Sequence, residues 1–157
     1  MAVKEQDLRN STDELQQALN EQLANWAVAY VKLHQFHWFV KGPHFATLHA
    51  KFEELYDMAA SKLDELAERM LAIGLQPASS MKAYLGLATI RESELAPDGD
   101  QEMLASVAAD FGTVVDGLKR AVKLAESRDD EATVDMLIAQ IEELQKQMWM
   151  LNAMQGK

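Results

Sequence analysis

Residues 32–45 read KLHQFHWFVKGPHF, the end of one helix, a break and the start of another. Upstream, Leu15, Leu19, Leu23, Trp26, Tyr30 and Leu33 recur about every 3.6 residues, one apolar face that reaches His37. Lys41-Gly42-Pro43 interrupts it, because proline lacks an amide donor and glycine leaves the helix easily. Downstream, Phe45, Leu48, Phe52, Leu55, Ala59, Leu63, Leu66, Met70 and Ile73 form a second stripe, stopped by Gly74 and Pro77. At the other end, Ser11-Thr12-Asp13-Glu14 sets a hydroxyl three residues before a carboxylate, the pattern that starts a helix. Residues 1–10 are then an N-terminal arm in which Glu5 and Asp7 offset Lys4 and Arg9.

The rest of the chain continues the helical reading. Between Ala78 and Pro97 the period weakens, with Met81, Tyr84, Leu85 and Leu87 as a candidate short helix. Asp98-Gly99-Asp100 then introduces a third long helix to about Ser127, and Asp129-Asp130 caps a fourth to about Met154. A long crossover between the second and third long helices lets them run parallel, the connectivity of ferritin-like bundles. With 48% hydrophobic residues, 3 prolines and 7 glycines in 157 residues, one all-α domain over 1–157 is expected.

Composition also excludes classes of function. Without cysteine there is no disulfide, no thiolate metal site and no Cys nucleophile. No stretch reads as a membrane span or a secretory signal. A net charge of −10 opposes a phosphate backbone and favours cations.

All four histidines, His34, His37, His44 and His49, lie within sixteen positions. On spacing alone, a helix end that collected capping histidines is an equally good reading. Helical rise puts His37 and His49 about 5 and 7 Å from the shared turn, in helices about 8 to 10 Å apart, so these two imidazoles converge. His34 and His44 are assigned structural or solvent-exposed places. At about 100° per residue, Glu53, Asp64 and Glu68 fall about 40°, 60° and 100° from His49, beside the apolar stripe. A solvated charged face would explain an isolated Asp-x-x-x-Glu. Asp64 and Glu68, however, lie about 22 and 28 Å from His49 along the helix, so one chain cannot close a site from these residues. Two antiparallel copies of the helix can, with a two-fold axis near Asp57 and Met58 and with Ala59, Ala60 and Ser61 allowing close approach. Nitrogen and carboxylate donors without sulfur suit Fe(II), Mn(II) or Zn(II). The Glu-x-x-His motif of intrabundle di-iron sites is absent, since Val31, His34, Lys41 and Ala46 stand three residues before the histidines.

Residues 32–45, with Leu48-His49, Asp64-x-x-x-Glu68-Arg69 and the spacing His-x11-His-x14-Asp-x3-Glu, resemble the Dps mini-ferritins. The likeness is dense from about Val31 to Pro77. It implies a ferritin-like four-helix bundle whose crossover carries a short extra helix, assembled into a shell of twelve subunits in the bacterial cytoplasm. It implies ferroxidase sites between subunits, two irons at each, with His37, His49, Asp64 and Glu68 as catalytic ligands and Glu53 as a further metal residue near the second iron, bound directly or through water. Zinc or manganese are possible substitutes. Fe(II) and hydrogen peroxide are the implied substrates, and ferric mineral is stored inside, which protects DNA. Glu53, Glu54 and Asp57 are nucleation candidates. Asp130 and Asp135 resemble the lining of an iron-entry pore, with helix capping and a solvated face as the plain alternatives. Trp38 is placed as a radical quencher or a core residue, while Trp26 and Trp149 are expected to be packing residues. Some relatives coat DNA through a Lys/Arg-rich tail. That is the alternative function, but Met154–Lys157 carries one lysine and the chain is acidic, so DNA is not an expected partner.

Overall fold

The computed structural model describes the backbone of residues 2–157 and the side chains from Thr12 onward. Its helices are α1 (Ala2–Phe39), α2 (Phe45–Ala72), α3 (Met81–Leu87), α4 (Asp100–Glu126) and α5 (Glu131–Met154), with no strand among the described residues. The predicted boundaries hold at α2, α4 and α5 within about a turn. The start of α1 does not: the helix runs unbroken through Ser11–Glu14, so this pattern starts nothing here. The side chain of Ser11 lies outside the described residues.

Local chemistry sets the breaks. Gly42 takes φ 105° in the turn between α1 and α2. At the end of α2, Gly74 takes φ 81°, its N–H bonds to Leu71 O, and Leu75 N–H reaches back to Met70 O. This Schellman closure satisfies carbonyls that a helix end would orphan, and Leu75 is buried beneath it. Ser80 caps α3 by accepting from Ala83 N–H, and Asp130 caps α5 by accepting from Thr133 N–H.

The core takes one face of every long helix: Leu15, Leu19, Leu23, Trp26, Leu33 and Phe36 meet Phe52, Leu55, Leu66, Phe111, Leu118, Leu137 and Leu144. Two predicted stripe residues do not join it. Tyr30 and Phe45 are 40% and 44% exposed, because they sit at the stripe's edge. Polar pairs fix the directions. Lys32 meets Asp110 and Glu21 meets Arg120, so α1 and α4 are antiparallel. Lys51 meets Gln147 and Arg69 meets Asp130, so α2 and α5 are antiparallel as well. With short turns inside each hairpin, α2 and α4 run parallel, as the long crossover predicted.

A polar ladder on α1 carries that crossover. Gln16 and Asn20 hold Gln76 and Ala78; the fully buried Asn25 accepts from Thr89 and Ile90 N–H; Lys32 donates to Arg91 O and Gln35 to Ser93 O. Both numberings rise together, so the segment runs parallel to α1 and returns the chain to the end where α2 began. Apolar periodicity is blind to this ladder. Its signal was the set of amide side chains along α1.

Candidate metal centre

The end of α1 and the start of α2 bring His37 and His49 together, as the sequence spacing predicted. Their rings stack with centroids 3.6 Å apart at 16°. His37 Nδ1 lies 2.7 Å from His49 O, and His49 Nδ1 lies 2.8 Å from His37 O. A carbonyl oxygen only accepts, so each Nδ1 carries the proton and donates. In the neutral rings each Nε2 therefore keeps its lone pair, the state that a metal-binding histidine needs. His37 is buried and His49 half-buried, at the wall of the bundle instead of its interior.

The carboxylates lie on the same outer wall. Glu53, Asp57, Asp64 and Glu68 are exposed on α2 and form no hydrogen bond or ion pair among the described residues. Glu53 is one helical turn from His49, whereas Asp64 and Glu68 are fifteen and nineteen residues further on, about 22 and 28 Å by helical rise. Among the described residues, no three His, Asp or Glu side chains gather into a metal-sized group within one chain.

The remaining candidates divide. Glu54 is engaged: Lys51 and Gln147 donate to it at 2.9 and 3.1 Å. Burial alone raises its pKa, but these bonds and the charges of Lys51 and Lys146 outweigh that and hold it below the usual value. Asp130 caps α5 and pairs with Arg69 at 2.8 Å. Partial burial again pushes upward, and the Thr133 and Arg69 bonds bring its pKa below the ordinary value. Asp135 is exposed. Near the proposed axis, Asp57, Ala60 and Ser61 face outward, but Met58 and Ala59 belong to the chain's own core. Trp38 is 66% exposed with its ring 5.4 Å from that of His34, so it is not a core residue. Trp26 is buried as expected. Trp149 is not: it is 67% exposed, since its position on α5 lies outside the stripe of Leu144, Gln147 and Leu151.

Sequence reasoning did not find the rings around the histidines. Tyr56 stands perpendicular to His37 with centroids 5.2 Å apart, and Phe45 lies near-parallel to His49 at 5.0 Å. His34 stacks on Tyr56 at 3.7 Å, a structural place of the kind predicted for it. His44 is exposed at the start of α2 and makes no side-chain cap. The available signal was the recurrence of Phe45, His49, Phe52 and Tyr56 at three- and four-residue steps, which also reads as core.

A ferritin-like domain model matches residues 16–157. The DNA protection during starvation protein of Brevibacillus brevis is 51% identical over 135 residues, 86% of this chain and 90% of the relative. A crystal structure of a Dps protein from Bacillus brevis superposes with a TM-score of 0.89 at 48% identity, covering 92% of this chain and 97% of that one. The Dps protein of Vibrio cholerae O1, described as one of a broad superfamily of ferritin-like diiron-carboxylate proteins, gives 0.87 at 35% identity, covering 92% and 90%. No described helix is long and apolar enough to cross a membrane. With its fold, crossover and these likenesses in agreement, the chain belongs to the Dps family of ferritin-like proteins.

Proposed function

We propose that residues 1–157 form one ferritin-like domain that oxidises Fe(II) at sites shared between subunits and stores the ferric product within a dodecameric shell, in the bacterial cytoplasm. The observation that carries this reading is the reciprocal Nδ1–carbonyl lock of His37 and His49, which leaves both Nε2 atoms free as metal donors. Exposed, unpaired carboxylates on the same helix as His49 suit a site completed between two copies of the chain. Asp64 and Glu68 of a second copy, brought in by a two-fold axis near Asp57, would supply the anionic half. An apolar recess of about 320 Å³, lined by Tyr30, Val31, Ala60, Leu63, Met81 and Tyr84, flanks this stretch of α2 and suits burial against a second copy.

The donor set, imidazole nitrogen and carboxylate oxygen, fits Fe(II) and also Zn(II) or Mn(II). Two Fe(II) side by side give up two electrons to one hydrogen peroxide: with two protons, the products are two Fe(III) and two waters. Paired delivery avoids the one-electron reaction that releases hydroxyl radical, and DNA is protected as a consequence. Exposed Glu53 borders the histidines and Asp57 follows one turn later, so both remain nucleation candidates for ferric product; Glu54 is less suited because Lys51 occupies it. Asp135 is the freer of the two pore candidates, since Asp130 is committed to its cap and to Arg69. Trp38, exposed beside His34, remains the candidate to take an oxidising equivalent that escapes.

Mixed assembly tests the shared site. Subunits carrying His37→Ala/His49→Ala and subunits carrying Asp64→Ala/Glu68→Ala should each be inactive, and their mixed dimers should regain oxidation at one interface half. A fully active particle of 17.6 kDa in light scattering, or verified mixed dimers without activity, overturns the reading.

A further inference from the structure

A chain of ring contacts runs through the histidine pair and beyond it. Phe45 meets His49, His49 stacks on His37, Tyr56 stands at 90° to His37 with centroids 5.2 Å apart, and His34 lies flat on Tyr56 at 3.7 Å and 15°. The far end is anchored, because His34 Nδ1 donates to Tyr30 O at 2.8 Å. Tyr56 and His34 are both half-buried, so neither is a plug for the interior. Neither is a proposed ligand.

The reciprocal carbonyl lock chooses which nitrogen of His37 is free, but a single hydrogen bond leaves the ring able to pivot about it. Pivoting swings Nε2 away from the point where the carboxylates of a second copy must meet the same metal. The stack with His49, centroids 3.6 Å apart at 16°, bears on one face of the His37 ring only. A perpendicular ring against His37, itself backed by an anchored stack, opposes that pivoting.

We propose that Tyr56, backed by His34, is the positioning residue for His37, setting the direction of its Nε2 through ring contact and not through the phenol hydroxyl. The proposal rests on the reading of His37 and His49 as metal ligands. Hydrogen-bonding outer partners of metal-binding histidines change affinity by about 10-fold to 100-fold when removed, and a ring contact that holds the same orientation is placed at the low end of that range.

The test uses the assembled protein and Co(II) alone, read by its visible d–d absorption and by titration. Tyr56→Phe keeps the ring and should match the wild type within about twofold. Tyr56→Leu should weaken Co(II) binding by about tenfold and alter the d–d bands, with particle size unchanged. His34→Ala removes the backing ring, together with its bond to Tyr30 O and its contact with Trp38, while leaving Tyr56 in place, and should move both readouts the same way; it carries the test if Tyr56→Leu fails to assemble. Wild-type affinity and spectrum in Tyr56→Leu or in His34→Ala overturn the proposal, as does a loss in Tyr56→Phe equal to that in Tyr56→Leu. If His37→Ala leaves the Co(II) spectrum of the otherwise wild-type protein intact, the ligand reading fails first and the proposal with it. That failure is distinct because it appears with Tyr56 untouched.

Discussion

The imidazoles of His37 and His49 each donate to the other's backbone carbonyl while their rings lie face to face. The stack makes the two residues one unit: removing either ring leaves the other with its backbone acceptor but without its stacked partner. Substitutions here should therefore be strongly non-additive. His37→Ala and His49→Ala should each lower Fe(II) oxidation by at least about tenfold, with the double variant little worse than the more severe single one. Initial rates with hydrogen peroxide check this, alongside light scattering to show that assembly survives. Independent, multiplicative losses would mean that the rings act separately.

Protection of DNA and binding of DNA should come apart. A chain with net charge −10 offers a poor grip for phosphate, whereas the proposed site consumes both Fe(II) and peroxide. Plasmid nicking by Fe(II) and peroxide should be suppressed by the wild type and restored by Asp64→Ala/Glu68→Ala. A gel-shift at about 50 mM salt should show no retardation with either protein. Protection that persists in the variant and follows a retarded band would favour the DNA-coating alternative.

Asn25 is the crossover's buried clasp, accepting from Thr89 N–H at 2.8 Å and from Ile90 N–H at 3.1 Å. Asn25→Ala orphans these donors and removes the Nδ2 donor from Gln22 Oε1 and Thr89 Oγ1. A loss of about 1–3 kcal/mol is expected, with faster hydrogen exchange at Thr89 and Ile90 than elsewhere in the protein. Uniform exchange, or an unchanged thermal midpoint, would show that the ladder on α1 does not hold the segment.

Asp130 makes the start of α5 sensitive to acid. Its folded pKa is lowered, so its contribution is fully present above the unfolded value of about 3.9 and is lost as pH falls below that, through the folded value. Thermal midpoints measured from pH 6 down to about 2.5 should fall more steeply in the wild type than in Asp130→Asn, which has no carboxylate to protonate there. At neutral pH, Asp130→Ala should cost about 1 kcal/mol for the cap, more than Asp130→Asn, which keeps an acceptor for Thr133 N–H. Parallel acid limbs would remove this carboxylate from the account.

Much of this architecture was legible because it follows from local rules. Glycine and proline mark breaks through their own backbone preferences, and Asp130 caps α5 from its place beside Glu131. Pairing His37 with His49 needed only helical rise and one short turn. Legibility failed where one helix face has to be shared. Tyr30 and Phe45 belong to the apolar period yet stay exposed at its edge, Met58 and Ala59 turn inward beside outward-facing Asp57 and Ala60, and Trp149 lies outside the stripe. The Ser11–Glu14 pattern marks a helix start only if the chain upstream is not already helical, which a local motif cannot register.

By itself the sequence determined the long helices, the crossover connection and the nearness of two histidines, because periodicity, backbone propensity and rise per residue act within a few turns. The tertiary structure decided which groups are chemically available. Lys51, buried against Gln147, takes Glu54, and Arg69 takes Asp130, while Glu53, Asp57, Asp64 and Glu68 stay uncommitted on the outer wall. It also decided the tautomer of His37 and His49, since a carbonyl from the neighbouring helix leaves Nδ1 no choice but to donate. The hold of Gln147 on Lys51 and Glu54, and of Arg69 on Asp130, depends on partners far apart in sequence, whose meeting is governed by how the helices pack and not by the pattern along any one of them.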